Sequence, residues 1–191
     1  MLVFSDHDIR VPMLVSGPGI AAGSTLHTVG SHADLAPTWL EIAGLPSAAE
    51  MDGKSLLPWL VTRTSKMSTI ASREPSMAYI EYHGLGNVPP NFVSAAVTPN
   101  IRLMDCFNNT FRALRFVNDP QYGNLLYAEF GSNFLFTGPL AFVEVFNMTS
   151  DPWNTINIRE QLSEKHHIAL HQILEKLWHC KGAACRQPFT M

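Results

Sequence analysis

Hydrophobic and polar positions change their period along the chain. Between residues 11 and 16 both alternating sets are mostly apolar, with Val11, Met13 and Val15 set against Pro12, Leu14 and Ser16. That predicts a short strand covered on both faces. Pro12 has no amide hydrogen and belongs at the start or edge of such a strand. Gly17-Pro18-Gly19 marks a turn. Ser31 or Asp34 can cap the helix that follows, and Pro37 suits its first turn. Leu35, Trp39, Ile42 and Ala43 fall on one helical face. Gly44 can take the left-handed stop conformation, and Pro46 blocks continuation.

Residues 61–75 are rich in Ser and Thr with mixed charge and read as an exposed connection. From Ser76 the pattern changes to short strands, expected over 78–82, 101–106, 111–117, 125–130 and 142–146. Asn108-Asn109 is a hairpin signal between the second and third of these. The stretch 86–99, with Pro89, Pro90 and Pro99, reads as loop. Phe142, Glu144 and Phe146 share one strand face, and Val143 and Val145 the other. After the turn cluster 147–152 a helix is expected, running to about Trp178. Its apolar stripe is Leu170, Ile173, Leu174 and Leu177, with Glu164, Lys165, Glu175 and Lys176 on the wet side. Strands followed by one amphipathic helix predict an antiparallel sheet covered on one face. The four tryptophans, Trp39, Trp59, Trp153 and Trp178, read as packing residues.

With 191 residues and 46% apolar content, the chain can bury a real core. A net charge of −3 with scattered Lys and Arg gives no nucleic-acid face. No apolar run reaches membrane-spanning length; the nearest, 134–146, is broken by Gly138-Pro139 and Glu144. Residues 1–4 are too short for a signal peptide. No serine nucleophile elbow and no phosphate-cradling glycine loop occurs. His167 and His171, with Glu164, have metal-ligand spacing, but no second cluster supports them and a solvated helix surface is the better reading. Asp8 and Arg10 are expected to pair and seat the first strand, Asp34 to cap, and Asp52 and Lys54 to lie on a turn. Asn108-Asn109-Thr110 and Asn147-Met148-Thr149 are glycosylation acceptors at Asn108 and Asn147. Cys180 and Cys185 are close enough in sequence for a disulfide, with two free thiols as the other reading. Cys106 reads as a small buried residue.

The order of pieces is more specific than any one of them. Strand Arg10-Val11-Pro12-Met13-Leu14-Val15, turn Ser16-Gly17-Pro18-Gly19, helix opening Asp34-Leu35-Ala36-Pro37-Thr38, helix end Ala43-Gly44, then Asp52-Gly53-Lys54-Ser55-Leu56-Leu57 resembles the close of the catalytic domain in sulfatases, the formylglycine-dependent sulfate-ester hydrolases. Further on, Ile80-Glu81-Tyr82-His83-Gly84, Phe107-Asn108-Asn109-Thr110-Phe111 and the run 143–152 resemble the glucosamine-6-sulfatase type. The resemblance implies an α/β fold of the alkaline-phosphatase-like class. Residues 1–60 would be the end of the catalytic domain, 61–75 a linker, 76–180 an antiparallel sheet plus helix, and 181–191 a tail.

The motif whose cysteine becomes the nucleophile, Cys-x-Pro-Ser-Arg, does not occur. The chain therefore looks like a C-terminal remnant, expected to be inactive alone. In intact relatives the formylglycine hydrate attacks sulfur, calcium neutralises the sulfate, and a histidine or lysine protonates the leaving alcohol. Ser5-Asp6-His7 either matches the strand-end element whose Asp and neighbour bind that calcium, making Asp6 and His7 metal ligands, or stands where the family has Tyr-Glu-Phe before the strand. In the first register the site is half built, so calcium belongs to the intact family and is not expected on this chain. The resemblance also gives His83 a place near a sulfated sugar, closes Cys180 and Cys185 as a disulfide, and implies a sulfated glycosaminoglycan substrate in a lysosomal or secreted setting. The alternatives are a phosphodiesterase or phosphonate hydrolase of the same superfamily and a non-catalytic secreted glycan-binding fragment.

Overall fold

A computed structural model describes residues 6–61, 76–83, 110–133 and 135–186. The expected strand 101–106, with Cys106 and Asn108, lies outside the described residues.

Four antiparallel strands, β1 (Met77–Tyr82), β2 (Phe111–Phe116), β3 (Leu125–Gly131) and β4 (Leu140–Asn147), lie side by side in chain order. The β2–β3 register pairs Phe111 with Phe130 and Arg112 with Glu129. The turn between them is built by Asp119, which accepts the amides of Gln121 and Tyr122, and by Gly123 at φ 62°. Strand alternation sends Leu114, Phe116, Leu125, Tyr127 and Val145 to one face. There α4 (Glu164–His179) seats Leu170, Ile173, Leu174 and Leu177. Each such leucine contributes about 1.5–3 kcal/mol by leaving water.

The opposite face is apolar too, which the expectation of a sheet covered on one face missed. Phe111, Ala113, Leu126, Ala128, Phe130 and Phe146 are buried there, and Ile9 packs against them. Glu144 shares this face and is buried with Oε2 unpartnered.

The last helix starts later than Pro152 suggested. The Asp151 carboxylate takes the amides of Thr155 and Ile156, and Asn154 sits at φ 56°, so the chain turns there. Ser163 then caps α4 by accepting the His166 amide.

Residues 10–61 behave differently. The stretch Val11–Val15 is no strand: it has no ladder partner among the described residues, and Leu14 is 97% exposed. A strand needs a neighbour for its amides, and apolar residues on both faces do not supply one.

Helix α2 (Leu35–Ile42) forms where expected, and ends with Gly44 at φ 72° and the Leu45 amide on the Leu40 carbonyl. Its apolar face is the surprise: Trp39 is 63% exposed and Ile42 is exposed as well. The helix instead buries Pro37 and Thr38, next to buried Asp34.

A polar latch explains that choice. Asp34 accepts the amides of Ser31 and Lys54, each at 2.8 Å. Thr38 Oγ1 donates to the Asp34 carbonyl (2.6 Å) and accepts the Leu56 amide (2.8 Å). Gly53 lies so close that a Cβ there would meet the Ala33 carbonyl oxygen at 2.0 Å. The motif Asp34-x-x-x-Thr38 and the motif Asp52-Gly53-Lys54 thus belong to one fastening. A short α3 (Leu57–Leu60) follows.

Candidate functional site

The N-terminal residues meet the sheet on the face away from α4. Asp6 opens α1 (Asp6–Ile9) and is almost wholly buried. Its Oδ1 accepts Arg115 Nε at 2.7 Å, and its amide donates to Asn154 Oδ1 at 3.1 Å. Arg115 also donates from Nη1 to the Phe116 carbonyl. His7 lies against Trp153, ring centroids 5.3 Å apart. Asp6, His7, Arg10, Arg115, Met148, Pro152 and Trp153 line a cleft of about 220 Å³. Trp153 is 68% exposed, so it is not the packing residue expected. The expected Asp8–Arg10 ion pair is absent among the described ion pairs; Arg10 instead donates its amide to the Asp6 carbonyl.

The structure thus brings Asp6 and His7 together at a cleft. A calcium ion does not fit them. The Asp6 carboxylate is already engaged by a guanidinium, which would repel a cation. Among the described residues no group of three or more His, Cys, Asp or Glu could hold a metal.

A second polar cluster sits under α4. Arg112 and Glu129 oppose each other across β2 and β3 and are 1% and 0% exposed. Arg112 donates to Glu129 Oε2 from Nε (3.0 Å) and Nη2 (2.7 Å). Glu175 of α4 approaches the same Nη2 at 2.5 Å. Tyr127 donates its hydroxyl to Glu129 Oε1, and His171 Nδ1 lies 2.8 Å from that oxygen. His171 is therefore bonded to a buried carboxylate, a link the reading of it as simple helix surface did not include.

Phe136 lies under the Arg112 guanidinium at 4.7 Å, while Nη1 has no hydrogen-bond partner. Burial by itself would lower the Arg112 pKa, and Glu129 and Glu175 more than offset it. Burial by itself would raise the Glu175 carboxyl, and Arg112 holds it below the usual range. Burial, with Glu129 beside it, pushes the Tyr127 hydroxyl up. Burial likewise raises Glu144 on the opposite face.

His83 lies just past β1, exposed, with its ring 5.1 Å from Trp178 on α4. Asp6 is on the other face of the sheet, so the candidates fall in two separate places. His167 Nε2 contacts the Arg159 carbonyl. Cys180 and Cys185 are joined as a disulfide, Cα atoms 5.2 Å apart. Asn147 ends β4, exposed, and its Oδ1 accepts the Thr149 amide.

Sequence reasoning missed Arg112, Glu129, Arg115 and Trp153 as members of polar sites. Strand register could have flagged the first pair. Asp6–Arg115 joins residues 109 apart and left no local signal.

The described residues thus form an α/β chain: a four-stranded antiparallel sheet backed by one C-terminal helix and preceded by a latched turn and helix segment. The family model described as N-sulphoglucosamine sulphohydrolase, C-terminal, matches residues 2–133, and the chain belongs to this sulfatase family. The chain is 32% identical over 191 residues to N-acetylglucosamine-6-sulfatase of Homo sapiens, covering 96% of the chain and 32% of that protein. The figures are the same for the Bos taurus protein. An extracellular sulfatase SULF-1 homolog of Drosophila melanogaster is 45% identical over 58 residues, 30% of this chain and 5% of that protein. A solved structure from a study of glycosaminoglycan metabolism by Bacteroides thetaiotaomicron aligns at TM-score 0.42 and 16% identity, over 71% of this chain and 24% of that one. The chain spans about a third of the length of the N-acetylglucosamine-6-sulfatases it matches. No described helix is long and apolar enough to cross a membrane.

Proposed function

We propose that this chain is the C-terminal part of a sulfuric ester hydrolase acting on sulfated glucosamine in glycosaminoglycans, and that the 191 residues alone do not cleave sulfate esters. The observation that carries the first half is the similarity to N-acetylglucosamine-6-sulfatase along 96% of the chain. The second half rests on chemistry. Sulfate-ester cleavage in this family needs an activated nucleophile, and no Cys-x-Pro-Ser-Arg is present to supply one.

What the chain contributes is scaffold. The Asp34–Thr38–Gly53 latch fixes α2 against the 52–56 turn, and the sheet with α4 forms a packed platform. In this reading His83 reaches a sulfated sugar, supported by its exposed position past β1. Asn108 and Asn147 carry N-glycans, supported by their triplets. The setting is lysosomal or extracellular, supported by the disulfide and by the extracellular relative in Drosophila. Asp6 and His7 serve no calcium ion here, because Asp6 is held by Arg115.

The test is direct. Purified chain is incubated with an aryl sulfate and with N-acetylglucosamine 6-sulfate, with calcium present and absent. No turnover above a buffer blank is expected. Turnover by the isolated chain overturns the second half of the proposal.

A further inference from the structure

The cleft between α1 and the turn after β4 has groups that its structural role leaves unused. Arg115 gives Nε to Asp6 and Nη1 to the Phe116 carbonyl, and its Nη2 makes no hydrogen bond among the described residues. Arg10 lies exposed in the same cleft with no carboxylate partner among the described residues. Of the residues that line the cleft, two carry guanidinium groups and one, Asp6, a carboxylate. Beside them Trp153 presents most of its indole to solvent and touches His7. An exposed indole next to one exposed guanidinium, Arg10, and the spare Nη2 of a second, Arg115, is a surface that binds flat, partly apolar, negatively charged groups.

Size narrows the class. A cleft of about 220 Å³ is below the range of pockets that enclose a whole drug-sized ligand, so it takes one ring of something longer. Backbone chemistry narrows it again. The amides of Thr155 and Ile156 are taken by Asp151, that of Asn154 by the Asp151 carbonyl, and that of Asp6 by Asn154. These neighbouring amides offer an incoming peptide no free donors for strand addition. A sugar ring needs none: its C–H face lies on an indole while its acid group meets a guanidinium.

We infer that this cleft is a binding subsite for one anionic sugar unit of a glycan chain, with Trp153 beneath the ring and Arg10 and Arg115 Nη2 on its sulfate or carboxylate. It is distinct from the place occupied by His83, which contacts α4 on the other face of the sheet. The choice of a glycan rests on the proposed sulfatase reading, whereas the charge and the indole stand without it.

The test titrates the 191-residue chain, at one fixed moderate ionic strength, with three probes. These are a heparin-derived tetrasaccharide, the same tetrasaccharide stripped of sulfate but keeping its carboxylates, and neutral chitotetraose. Indole N–H resonances report binding. The Trp153 resonance is expected to shift with at least one charged probe, which tells sulfate from carboxylate recognition, and to respond about tenfold more weakly to chitotetraose. Trp153→Ala and Arg10→Ala, both at exposed positions, are each expected to weaken binding of the charged probe about tenfold at unchanged Tm. Equal binding of chitotetraose, no binding of either charged probe, or parental affinity in both variants overturns the inference. Its failure is separable from that of the proposed function: turnover of an aryl sulfate by the isolated chain sinks the latter and leaves the cleft untouched.

Discussion

The sheet with α4 is held by interlocked side chains, whereas residues 10–61 are held mainly by hydrogen bonds converging on a few buried polar groups. Both regions carry abundant apolar residues. In the first, Leu114, Tyr127 and Val145 on the strands meet Leu170 and Leu174 on the helix. In the second, Val11, Leu14, Trp39 and Ile42 face solvent, and Asp34 and Thr38 lie inside. An apolar pattern thus predicts which residues want cover, and only a second element decides whether they get it. Where cover is missing, satisfied polar groups can still fix a local shape.

The largest effect is expected where the packed region carries charge. Arg112→Ala leaves Glu129 buried with one charged partner fewer, a loss of about 3–5 kcal/mol by urea denaturation. Replacing both Arg112 and Glu129 by methionine is expected to recover most of that, because no buried charge is left alone and Glu175, 43% exposed, can turn to water. A double variant as unstable as the single one would mean that the pair itself, and not the abandoned carboxylate, supports the sheet.

Thr38→Val is the matching cut in the latched region. It strands the Leu56 amide and removes a hydroxyl donor, about 1–3 kcal/mol of local stability. Amide exchange is expected to quicken at Lys54 and Leu56 while β3 stays protected. Uniform loss of protection through β3 would show that the two regions open as one.

A smaller change has the opposite sign. Burial raises the Glu144 carboxyl, so the folded state binds its proton more tightly than the unfolded chain does. Stability tied to this group is highest in acid and falls as pH rises through the raised pKa. Glu144→Leu is therefore expected to stabilise the chain by about 1 kcal/mol near pH 7. The gain shrinks as pH drops toward the ordinary carboxylate range. Melting curves at pH 7 and pH 4.5 check it; an equal gain at both would assign the effect to packing.

The smallest change is expected at Leu14. Leu14→Ser alters stability by no more than about 0.5 kcal/mol, because the side chain is almost fully in water. A loss above 1 kcal/mol would place that residue in a core and erase the contrast between the regions.

Local chemistry made much of this readable from sequence. Strands around 78–82, 111–117, 125–130 and 142–146 are short runs rich in aliphatic and aromatic residues, and all four are present. The stripe Leu170, Ile173, Leu174 and Leu177 is buried as its spacing demands. Gly44 ends α2 because only a residue tolerant of positive φ suits that stop. What stayed hidden was non-local. Arg112 and Glu129 are 17 residues apart and meet only through register. The delayed start of α4 depends on Asp151 gathering amides ahead of it. The strand at 11–15 failed because side-chain pattern carries no information about whether a neighbour exists.

The ring closed by Cys180 and Cys185 holds Gly182, whose amide donates to Asp52 at 2.6 Å across a span of 130 residues. Gly182 sits at φ 57°, and a Cβ there would strike the Ala49 carbonyl oxygen at 2.2 Å, so that docking tolerates no larger residue. The oxidation state of two late cysteines is therefore felt at the turn that feeds the Asp34 fastening. Synthesised in a reducing compartment, the same polypeptide would keep its sheet and the Asp6–Arg115 tie, and would loosen its hold on Asp52.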